Sequence, residues 1–394
     1  MISSRERVTR ALCLEESMDR LPFGEWEIQG SCLQGIIGRE PVLYNNLASY
    51  EFISKGKRDQ FIKRQVEDLV DLVKKLEIDI VWIRFAPAES WRGIKKVDKF
   101  KYELSDRTFG RKDLGGGRVV IEWNPDSETF WEVETSLNTV EALQEYTRVL
   151  EQSKDASVDS STLELIEQAV KKVGDRIFIC AAADGTFPFL GSSTTMPIFL
   201  KCQYTHPDLV RRILREHTKR QIEYGKAAID AGVSGILMNA DYCSKTGPFM
   251  SPKQFRDFYL PEIKAHHVAY HEKGAFVIQH KDGNIWLIAD ALLIEAGADV
   301  YQAMEPSADM KLSEVKAVYG DKICLMGNVD CVYTLVHGTA DDVVAETEEC
   351  IKTGATGGGY IVSSSNVVVS RTPTKNYLAL VETVKKKGRC PLSL

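Results

Sequence analysis

The chain has 394 residues, a formal net charge of −6, 44% apolar and 27% charged residues. That balance suits a globular protein and offers no basic stripe for a phosphate backbone, so nucleic acid is not expected as a partner. No apolar run approaches the roughly 20 residues that span a bilayer, and "MISSRERVTRAL" lacks a signal-peptide core, so a cytoplasmic protein away from membranes is expected. The nine cysteines contain no C-x-x-C pair, which fits a reducing compartment and argues against a disulfide framework.

In chain order, the opening reads as a helix: Ser3 and Glu6 make a capping box, and Val8, Ala11 and Leu12 recur at helical spacing. Eight β-type runs follow, at 22–28, 79–85, 177–183, 235–240, 275–280, 299–304, 322–328 and 359–365. Amphipathic stretches such as "RDQFIKRQVEDLVDLVKKLE" and "PDLVRRILREHTKRQIEYGKAAIDAG" lead from one to the next. Helices alternating with buried strands imply a parallel sheet with right-handed crossovers, and eight units predict a (β/α)8 TIM barrel. The surplus length falls between the second and third strands. There the turn-rich stretch from "VDKFKYELS" to "SETFWEVET" predicts a β-hairpin insertion on the rim, about residues 98–160, within a single domain over 1–394.

In such a barrel the active site gathers where the strands end. Those ends carry Glu25, Trp26 and Glu27; Arg84; Asp184; Asn239, Asp241 and Tyr242; His280 and Asp282; Glu305; Asn328, Asp330 and Cys331; and Ser364, Ser365 and Asn366. The mouth is rich in carboxylates with few counter-charges (Arg84, Lys245, Lys281, Arg371). Carboxylates crowded together raise one another's pKa or recruit a cation. Zinc accepts imidazole and carboxylate, so His280, Asp282, Glu305 and Cys331 are the candidate ligands. Asp241, His280 and Glu305 are the candidate catalytic residues. Glu25, Trp26, Arg84, Asn239, Tyr242, Asn328, Ser365 and Asn366 are the candidate substrate contacts, with Trp82 and Phe249 as further aromatic walls. His266, His267 and His271 share one helix without a metalloprotease pattern, and a solvated or capping role is expected for them.

Several segments, in this order, resemble the uroporphyrinogen decarboxylase-like barrels: "SSRERVTRAL", "KTGPFMSPKQFRDFYLPEIK", "HKDGN", "EP" before "VYGDKICLMGNVD", and "GGGYIVSSSN" with "TPTKNYLALVE". That group contains the decarboxylase of haem synthesis and cobalamin-dependent methyltransferases. The decarboxylase grips its polyanionic substrate with an arginine pair after the first strand, where this chain has Glu25 and Glu27. Methyltransferases acting on coenzyme M carry a His-x-Cys zinc site, and here Asp282 stands at the cysteine's place. The resemblance therefore implies the branch that moves a methyl group from an O- or N-methyl donor, such as a methoxylated aromatic, to the cob(I)alamin of a separate corrinoid protein. It implies zinc at the site, the corrinoid on the partner, and a homodimer as one option for the assembly. A decarboxylase of another acid, a methylcobalamin:thiol methyltransferase and a non-catalytic tetrapyrrole-binding barrel are the alternatives.

Overall fold

The computed structural model describes residues 2–16, 19–89, 94–104, 119–126, 128–153, 157–183, 185–188 and 192–389. Thirteen strands are present among them: β1 (Ile80–Ile83), β2 (Ile94–Lys96), β3 (Lys101–Leu104), β4 (Val119–Asn124), β5 (Thr129–Thr135), β6 (Phe178–Ala183) and β7 (Gly235–Asn239), then β8 (Cys243–Ser244), β9 (Gly247–Pro248), β10 (Phe276–Lys281), β11 (Val300–Ala303), β12 (Cys324–Val329) and β13 (Tyr360–Ser364). β1, β6, β7, β10, β11, β12 and β13 form one parallel, curled sheet of seven strands in that order. Helices lie between most of them, as the alternation predicts.

The run expected as the first strand is not a continuous strand. Pro22 has no N–H to give, and residues 22–28 contribute single bridges: Phe23 to Val362 of β13, and Gly24 to Ile80 of β1. The segment thereby touches both edges of the sheet. Gly24 is needed for this approach, because a Cβ there would stand 2.1 Å from the Ile80 side chain.

Side chains alternate across the sheet. Ile80, Trp82, Phe178, Cys180, Leu237, Ile278, Val300, Cys324, Met326 and Ile361 pack together with Trp26 inside the curl. Their neighbours Val81, Ile83, Ile179, Ile236, Val277, Leu325 and Val362 face the helices. The N-terminal helix Ser4–Leu12 is capped by Ser3, and its Val8, Ala11 and Leu12 close the interior from below.

The rim insertion is larger than a hairpin. β2 to β5 make a four-stranded antiparallel sheet whose first strand begins at Ile94. It is tied down at several points. Ser370, after β13, donates from Oγ to Glu128 at 2.6 Å, Ser192 and Ser193, after β6, bond to Glu132, and Tyr102 donates to Glu51. The helix expected over "SPKQFRDFYLPEIKAHHVAYHEKG" widens to a π turn at Phe255–Tyr259 just before Pro261, whose missing N–H a regular helix would leave as a gap. His266 and His267 on that helix are buried, not solvated: His267 bonds Ala296 O and Gln279, and His266 bonds Tyr270. His271 is exposed and pairs with Asp299. The eight described cysteines are free. Among the described residues, no helix is long and apolar enough to cross a membrane.

Candidate functional site

Strand periodicity places His280. Phe276 and Ile278 line the interior, and two residues on, the same face of β10 presents His280 at the strand's end. Register sets Asn239 of β7 and Gln302 of β11 level with it on either side. The imidazole is buried; its Nδ1 hydrogen bonds to the Gln302 side-chain oxygen, and its ring lies 5.2 Å from Trp26. Nδ1 acts as the donor to that oxygen, which leaves Nε2 with a free lone pair. Burial pushes the imidazole's pKa down, opposed by the charge of Asp241. Sequence reasoning did not single out Gln302, although its alternation with Val300 was a usable signal.

Nε2 faces Asp282 Oδ1 at 3.5 Å. This oxygen is buried and has no hydrogen-bond partner. Burial, reinforced by Asp241 and Glu305, pushes the Asp282 carboxyl well above the usual carboxylate range. Its backbone N–H donates to Asp241 Oδ1 at 2.9 Å, and the next amide, Gly283, donates to Glu305 Oε2 at 2.9 Å. Two successive amides of the "HKDGN" turn therefore orient the two neighbouring carboxylates. Asn366 adds a bond to Glu305 Oε1 at 3.3 Å, and Asn328 bonds the carbonyls of Met304 and Met310 that flank Glu305.

Other expected site residues are engaged elsewhere. Glu25 is 3% exposed and accepts hydrogen bonds from Ser363 and from Ser364 N and Oγ, on the side where Cys32 and Tyr377 lie. Its carboxyl is pushed up to about 8 by burial, so it is not a free anion at the mouth. Glu27 is neutralised by Arg84, whose guanidinium also lies 5.8 Å from the Trp26 ring. Asp330 accepts from the amides of Val332 and Tyr333. Among the described residues, the acidic ring expected from sequence thus reduces to Asp241, Asp282 and Glu305.

Tyr242 is fully buried, bonds Thr186 at 2.5 Å and packs on Phe255 and Tyr259, as a core residue does. Trp82 is interior core, and Phe249 is 38% exposed. The Cys331 thiol accepts from Ser365 Oγ at 3.4 Å, and burial pushes its pKa up to about 12. Asp184 lies outside the described residues.

His280 Nε2, with a free lone pair, and Asp282 Oδ1, without a hydrogen-bond partner, are the two donors that a cation would use here. No group of three or more His, Cys, Asp and Glu among the described residues stands ready to hold a metal, so a third protein ligand would have to close on the pair.

The uroporphyrinogen decarboxylase (URO-D) family model matches residues 129–387. The chain belongs to that family. Among curated relatives, it is 25% identical to the methylcobamide:CoM methyltransferase MtaA of Methanosarcina barkeri, over 56% of this chain and 62% of that protein. It is 23% identical to the uroporphyrinogen decarboxylase of Aromatoleum aromaticum, over 50% of this chain and 54% of that protein. The matches thus span little more than half the length of these relatives. A methyltransferase from Methanosarcina mazei superposes with a TM-score of 0.64 at 18% identity, covering 98% of this chain and 99% of that one, and so shares the fold.

Proposed function

We propose that this URO-D family member is a methyltransferase that moves a methyl group from an O- or N-methyl donor, foremost a methoxylated aromatic, to the cob(I)alamin of a separate corrinoid protein. The observation that carries this reading is the pairing of buried His280 with Asp282, whose Oδ1 is unpartnered, flanked by Asp241 and Glu305. The likeness to a methyltransferase whose name specifies a methylcobamide supports it.

The chemical difficulty is the leaving group: an alkoxide, phenolate or amine departs badly unless its charge is met as the bond breaks. A zinc ion on His280 and Asp282, closed by Glu305 or Cys331, would supply that charge as a Lewis acid. The chain's own residues do the rest. Gln302 holds the imidazole with Nε2 toward the site, and the amides of Asp282 and Gly283 hold Asp241 and Glu305. Trp26 packs against the imidazole and steadies it, and Asn239 stands level with His280 for a polar contact.

A decarboxylase of another acid is the second reading. It is favoured by the raised carboxyl of Asp282, which without metal keeps a proton that a carbanion could take. One experiment separates the two. Anoxically purified protein is assayed for zinc and for methyl transfer from methoxyarenes and methylamines to a reduced corrinoid protein. Near-stoichiometric zinc that His280→Ala abolishes, with methylated corrinoid as product, is expected. Carbon dioxide release without any corrinoid would decide for the decarboxylase.

A further inference from the structure

One buried amine at the site has no part in that chemistry. Lys281 is 1% exposed, and a methionine would fill its space without burying a polar nitrogen. Its Nζ donates to Met238 O at 2.7 Å and to His280 O at 2.8 Å, with the Tyr242 ring 5.5 Å away. These carbonyls lie near the ends of two adjacent parallel strands, β7 and β10, where the ladder between them runs out. The amine replaces the missing donors. It joins the end of β7 to the peptide that follows His280, and a second tie, from Asp282 N to Asp241 Oδ1, joins the same two ends one residue further on.

We infer that Lys281 is a positioning residue, clamping the end of β10 to β7 so that His280 Nε2 and Asp282 Oδ1 face one another at 3.5 Å. The inference rests on the reading of this pair as the zinc-binding donors. Without the clamp, the turn from His280 to Gly283 is held by single amide bonds and the two donors lose their common orientation.

The test compares wild type with Lys281→Met, which keeps the stem and removes the donors. Two quantities are measured: zinc affinity by chelator competition, and amide hydrogen exchange at Asp282 and Gly283 in zinc-free protein. The variant is expected to keep its circular dichroism spectrum, to bind zinc about 10–100-fold more weakly, as loss of a supporting residue does at metal sites, and to exchange both amides faster. Unchanged exchange overturns the clamp whatever zinc does. Faster exchange in a protein whose wild type binds no zinc upholds the clamp and removes the zinc reading. Should the methionine variant fail to fold, Lys281→Gln, neutral and too short to reach both carbonyls, carries the same comparison.

Discussion

Burial makes Glu25 resist ionisation, and this has a consequence for stability. Desolvation outweighs the hydrogen bonds from Ser364 and Ser363 and moves its carboxyl from an ordinary 4.5 to about 8. Between those values the native state keeps a proton that the unfolded chain has released. The stabilising contribution is therefore complete below the unfolded value, declines as pH rises, and is lost once pH passes the folded value. Urea midpoints of the wild type are expected to fall across that window, with this group contributing up to about 5 kcal/mol of lost stability. Glu25→Gln, which keeps the shape and cannot ionise, should fall much less. In zinc-free protein Asp282, raised for the same reason, acts in the same direction and accounts for a residual slope. Identical pH slopes in wild type and variant would show that Glu25 ionises normally.

The "HKDGN" turn depends on Gly283. Its φ is +78°, and a Cβ would stand 2.5 Å from the carbonyl oxygen of Ser244, on the β8–β9 hairpin. Gly283→Ala is expected to cost upwards of about 1 kcal/mol and to move the amide that holds Glu305, so thermal midpoint and methyl transfer should fall together. Wild-type behaviour in both would mean that the turn has slack. This turn was legible in sequence because Phe276, Ile278 and His280 share a face by simple alternation. The same rule, applied to 22–28, puts Glu25 and Trp26 on opposite faces, as the structure has them. The rim insertion was legible as β structure from its turns. Its strand number and its ties to Ser192 and Ser370 were not, since contacts between residues 60 to 240 positions apart leave no local pattern. The burial of His266 and His267 was hidden for a related reason: their helix is covered by its neighbours on faces that local polarity does not report.

At the scale of the whole molecule, a dense polar network sits at the end of the sheet opposite the site. Asp79, fully buried, accepts hydrogen bonds from Arg7 of the N-terminal helix, from both terminal nitrogens of Arg20 and from Phe23 N. Its own N–H donates to Phe23 O, and its carbonyl accepts from Phe178 N. One residue thus joins the segment at 22–24, β1, β6 and the helix that plugs the interior. Removing the carboxylate would leave Arg7, also buried, partly unpaired, and breaking such a pair costs about 3–5 kcal/mol. An exposed pair costs little: Glu6→Ala breaks the contact with Arg10 and should stay within about 0.5 kcal/mol. Asp79→Ala is therefore expected to lower the urea midpoint strongly and to expose the N-terminal helix to proteolysis. Zinc affinity and KM of whatever still folds should remain at wild-type values, because the strand ends that carry His280 and Asp282 are held by separate bonds to Asp241, Glu305 and Ser244. A large loss of zinc affinity in folded Asp79→Ala would show that the two ends of the sheet are coupled, and that the site depends on the plug as well as on its own ties.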